Sequence, residues 1–134
     1  VTTKLLGLAS VLEMLTGLAL IIAPLSVAWL ILGSEASGTG IALGRIAGFA
    51  LLSLGVACYP RSSNVGNLDQ AVLGMLIYNT LITIYLIYLG VSGEATGGAL
   101  WLVAAIHAVL TILFAQLGFK DKFANSLQSL KNGE

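Results

Sequence analysis

Apolar residues do not alternate with polar ones along this chain. They gather in four runs, at 5–32, 40–59, 68–89 and 98–119. Each run reaches the roughly 20 residues that a helix rising about 1.5 Å per residue needs to cross a bilayer. The stretches between them, "GSEASGT", "PRSSNVGN" and "GVSGEATG", are short, polar and glycine-rich, as turns are. A membrane β-barrel would require alternation in ten-residue segments. Runs such as "LALIIAPL" and "LITIYLIYL" have none. The pattern predicts an all-α protein, a transmembrane four-helix bundle. Its membrane domain fills residues 1–119, and residues 120–134 form a short amphipathic tail.

Composition agrees with this pattern. Of 134 residues, 57% are hydrophobic and 9% charged, with a mean hydropathy of +0.98. A soluble domain carries about a quarter of its residues as charges, and a small one cannot hide this much apolar surface. The first run has a basic start at Lys4 and small residues in "SEASG", the marks of a secretion signal. Its apolar region, however, far exceeds the roughly 7–15 residues of a signal core. A retained span is expected, tilted or kinked where Pro24 removes a backbone donor.

Charge then orients the bundle. Four crossings leave both termini on one side, together with Lys4, Arg61, Lys120, Lys122 and Lys131. The two opposite turns carry Glu35 and Glu94 and no lysine or arginine. The positive-inside rule therefore places both termini and the 60–67 loop in the cytoplasm. "TGIAL" at 39–43 echoes "TGGAL" at 96–100, which is compatible with duplicated hairpins related by an axis along the membrane normal.

Four side chains lie deep within the runs: Glu13, Arg45, Asn79 and His107. Counting along each helix puts Asn79 and His107 near the bilayer centre. Arg45 falls roughly 6 Å to the outer side, and Glu13 roughly 8 Å to the inner. An ionised group at such depth costs at least about 2.5–3.5 kcal/mol. The expected remedy is an interior where these groups face one another, though Arg45 can also snorkel outward. Such a network either fixes helix register or binds a proton, an ion or a polar ligand head. Gly40, Gly44 and Gly48 form a four-residue-spaced packing stripe. Trp29, Tyr85, Tyr88 and Trp101 fit an interfacial aromatic belt. In the tail, Phe123, Leu127 and Leu130 recur at helical spacing.

Other chemistries find less support. Cys58 is the single cysteine, so no intramolecular disulfide or tetrahedral Cys site can form. No basic stripe or zinc pattern indicates nucleic acid. His107 is the sole histidine, and a haem would need Met14 or Met75 as its second axial ligand, or else remain five-coordinate. No cofactor is expected; haem, chlorophyll and quinone are the less favoured possibilities. Glu13 and His107 make two metal ligands without a third, and no serine or cysteine has a base with an orienting partner. An enzyme is thus disfavoured.

The layout resembles the broad group of small four-helix bacterial membrane proteins of the DoxX-like type. The resemblance rests on "APLSVAWLILG" (23–33), "GRIAGFALLSLGVACY" (44–59), "YN" (78–79) and "WLVAAIHAVL" (101–110). It implies a four-helix bundle, sometimes acting beside redox or transport proteins, with Arg45, Asn79 and His107 as the notable inner residues. DoxX itself is associated with a quinone-linked oxidoreductase, an activity for which this chain carries no motif. The expected function is an accessory or structural subunit of a membrane complex, with a buried polar network able to hold a lipid, quinone or other small ligand. Its partners would be membrane lipids and other subunits or copies of itself. The alternative is a small homo-oligomeric transporter or proton/ion permeation protein using the same polar residues.

Overall fold

The computed structural model describes the backbone of residues 2–60 and 65–132, and the side chains of residues 2–60 and 68–118. Five helices form among the described residues: α1 (Thr2–Ile22), α2 (Pro24–Leu32), α3 (Gly38–Cys58), α4 (Val65–Ser92) and α5 (Leu100–Asn132). Four of them, α1, α3, α4 and α5, are long and apolar enough to cross a membrane. The chain is a multi-pass membrane protein by architecture. At 33 residues, α5 is about 50 Å long, well beyond a hydrocarbon core of about 30 Å. The backbone of the tail therefore continues the last span to Asn132. Lys120, Lys122, Phe123, Leu127, Leu130 and Lys131, like Arg61, lie outside the described side chains.

The first apolar run is not one span, which corrects the expected boundary of 5–32. Ala23 leaves the helical region (φ −133°, ψ 58°), and Pro24 opens α2 at its first turn, where a missing N–H costs nothing. Gly33 closes α2 in the left-handed region (φ 75°), its N–H bonded to the Trp29 carbonyl. A side chain there would also strike Thr96, with a Cβ 2.6 Å from its Oγ1. Only glycine fits.

The helices pair as two antiparallel hairpins, α1 with α3 and α4 with α5, and contacts between the pairs are far sparser. Backbone-to-backbone approach holds the first pair together. A Cβ on Gly17 would stand 2.7 Å from the Gly48 carbonyl oxygen, and one on Gly55 2.6 Å from that of Ser10. Lipid supplies no hydrophobic drive between helices, so such close dispersion contact is what remains. The expected stripe is therefore used in part. Gly48 faces α1 and Gly44 meets Pro24, but Gly40 touches only its own turn at Ala36 and Ser37.

Two apolar cores join the hairpins. One, at the end bearing the start of α1, gathers Leu6, Ala9, Cys58, Val72, Met75, Leu110 and Phe114. The other, near the turns, gathers Leu86, Leu89, Ala95, Leu100 and Ala104, with Ile31 of α2 packed on it. Here α2 acts as a strap between the hairpins. A helix end leaves its last carbonyls without intrahelical donors. In α2 those of Leu30 and Leu32 accept from the N–H groups of Ala99 (3.0 Å) and Thr96 (2.9 Å) in the second turn.

Candidate functional site

Between the two apolar cores lies a polar layer. On α4, Asn79 follows Met75 by one turn; on α5, His107 precedes Leu110; on α1, Ser10 and Glu13 follow Ala9. Among the described residues, Ser10, Glu13 and Asn79 are the buried polar ones, at 0%, 2% and 0% exposure, and His107 is half-buried. Three of the four expected inner residues thus come together around α1, α4 and α5.

Asn79 fixes the chemistry of His107. Its Nδ2 donates to the Met75 carbonyl at 2.8 Å, which turns Oδ1 toward His107 Nδ1, also at 2.8 Å. An amide oxygen can only accept, so Nδ1 carries the ring proton. In the neutral ring Nε2 is then left as an acceptor. The Tyr78 ring meets the imidazole edge to face, with centroids 5.8 Å apart and planes at 78°. Its hydroxyl neighbours the Glu13 carboxyl. Glu13 and Tyr78 belong to different hairpins, so the layer crosses the seam between them.

Ser10 departs from the behaviour of its peers. Five other hydroxyls on the spans, those of Thr16, Ser53, Thr80, Thr83 and Thr111, donate to the carbonyl four residues earlier. This is the usual way for a helix in lipid to satisfy a hydroxyl. Among the described residues, the Ser10 Oγ is the buried side-chain polar atom with no partner. It sits one turn from Glu13 on the same buried face of α1. In the sequence, Ser10 and Tyr78 stand out only by lying three residues before Glu13 and next to Asn79.

Arg45 does not join the layer. It is exposed on α3 and makes no ion pair among the described residues. The residues that turn α3 toward α1 are Gly48 and Gly55, and packing on those backbones rotates Arg45 away from α4 and α5. Trp29, Tyr85, Tyr88 and Trp101 are all more than half exposed. Tyr85 and Tyr88 stack, and the Tyr88 hydroxyl donates to Glu94 at 3.1 Å. The two sulfurs considered for haem belong to packing residues: Met75 fills the core with Phe114, and Met14 covers Gly55. No three His, Cys, Asp or Glu side chains gather among the described residues. Compared with family models, curated proteins and solved structures, the chain matches none.

Proposed function

We propose that this protein is an accessory subunit of a bacterial cytoplasmic-membrane complex, with its termini inside, and that its polar layer holds the head of a lipophilic ligand. The unpartnered Ser10 hydroxyl carries the reading. A buried hydroxyl without a hydrogen bond is destabilising by about 1–3 kcal/mol, and ligand binding offsets that. The same layer holds a carboxyl, Glu13, one turn along α1, and an acceptor, His107 Nε2, on α5, so it suits a head that both donates and accepts. A quinone has this character: its oxygens accept when oxidised and donate when reduced. Apolar cores on both sides of the layer favour an enclosed seat over a permeation path. The short turns at 33–37 and 93–99 leave no room for a soluble catalytic domain between the spans.

The test is thermal stability of the purified protein in lipid nanodiscs with added short-chain quinone. At a concentration about 100 times Kd the ligand stabilises the fold by about 2.7 kcal/mol. Ser10→Ala abolishes that shift while leaving the ligand-free protein as stable or slightly more stable, because it deletes an unsatisfied group. A quinone-induced shift of the same size in Ser10→Ala, or no shift in the native protein, overturns the assignment.

A further inference from the structure

A second site lies away from the polar layer. Between α2 and the start of α3 runs an open groove of about 680 Å³, lined by Ser26, Trp29, Leu30, Glu35 and Ile41 among others. This volume is within the range of small-molecule sites, about 300–1,000 Å³. The groove holds one charge of its own, Glu35, at the turn. An opposite charge lies one helical turn beyond the lining residue Ile41, at Arg45. Arg45 follows Ile41 by four residues and so lies below it on the same side of α3. Side chains on a helix lean toward its N-terminus, which for α3 is the end where the groove opens. The exposed Arg45 is therefore directed along Ile41 toward the groove, and no acidic side chain among the described residues pairs with it.

We infer that this groove seats the headgroup of a membrane phospholipid carrying both a phosphate and a primary amine, with the phosphate at Arg45 and the amine at Glu35. Charge order argues for it. The cation is deeper and the anion nearer the rim, matching a lipid whose phosphate adjoins the glycerol and whose amine extends outward. A guanidinium suits phosphate because it can offer two parallel N–H donors. The surface below Arg45 argues for a lipid rather than a soluble zwitterion. Phe49 and Val56, at 55% and 42% exposure, continue that side of α3 as apolar surface on which an acyl chain can lie. Trp29, 65% exposed, stands at the wall.

Trp29 also provides the readout. In the full chain carrying Trp101→Phe, Trp29 is the remaining tryptophan. The protein is placed in phosphatidylcholine nanodiscs doped with brominated phosphatidylethanolamine, phosphatidylglycerol or phosphatidylcholine. Phosphatidylethanolamine is expected to quench Trp29 at about fivefold lower mole fraction than either of the others, a factor in keeping with one charge-assisted hydrogen bond. Arg45→Gln and Glu35→Gln each remove the preference, while Glu94→Gln, in the other turn, preserves it. Helicity by circular dichroism confirms that each variant is folded. Equal quenching by the three lipids overturns the inference. So does a preference that survives Arg45→Gln, or one that survives Glu35→Gln, since then the phosphate or the amine is not what is read.

Discussion

The Asn79–His107 pair is where a single hydrogen bond can be weighed. Each partner is tied on its own helix as well: Asn79 to the Met75 carbonyl, and the His107 carbonyl to Thr111. Replacing either residue by alanine leaves the other polar group at mid-bundle, and replacing both removes the bond with no remainder. A double-mutant cycle of unfolding free energy is expected to give a coupling of about 0.6 kcal/mol, the average for interhelical bonds in membranes, and at most about 1.7 kcal/mol. Zero coupling would mean that the 2.8 Å contact contributes nothing to holding α4 on α5. The depth of these residues was legible in the sequence because rise per residue is fixed, and Asn79 and His107 come out level. Rotation about the helix axis was not. Arg45 counts out nearly level with them, yet it is exposed on α3, beside the glycines that pack on α1. Ser10 looked ordinary because a serine in a helix normally has a carbonyl to bond, and sequence cannot reveal that it does not.

At the scale of elements, the contact between α1 and α3 depends on missing side chains. Gly48→Ala puts a Cβ 2.7 Å from the Gly17 carbonyl oxygen, 2.9 Å from Ile21 and 3.0 Å from Leu20. Backbone atoms cannot move aside singly, so the helices must separate. The expected loss is about 1–3 kcal/mol, as for other overpacked interiors. Gly74→Ala is the control: nothing lies within 4 Å of its Cβ, and alanine favours the helix. Heat denaturation in a mild detergent should rank Gly74→Ala at or above the native protein and Gly48→Ala below it. Similar melting of the two variants would remove the argument for close helix approach. A stripe at Gly40, Gly44 and Gly48 signalled this contact but misplaced its centre, because the partner glycine, Gly17, is on another helix and Gly55 continues the face at a seven-residue step. Pro24 was legible as an interruption. Only the bonds from Thr96 and Ala99 explain why the segment after it becomes a strap rather than the end of a span.

For the whole molecule, what matters is how two hairpins with little mutual contact stay together. They meet in the core around Leu6 and Phe114, through Glu13 and Tyr78, and where α2 docks on the second turn. The last of these fastenings can be released alone. Gly97 rests directly on the Ile31 backbone, so any side chain there collides with main-chain atoms, whereas its neighbour Gly98 has nothing within 4 Å of a Cβ. Gly97→Val should therefore lift the turn from α2 and break the Thr96 and Ala99 bonds, while Gly98→Val leaves them in place. Spin labels at Ser34 and Val91, in a background without Cys58, report the distance between the hairpins at the turn end; labels at Thr3 and Asp69 report it at the other. Gly97→Val is expected to broaden the first distribution and spare the second, because the apolar core near Leu6 does not involve the strap. Unchanged distributions at both ends would show that the turn contributes no restraint. Broadening at both would show that the hairpins separate as a unit, which would make α2 necessary for the whole bundle rather than for one end of it.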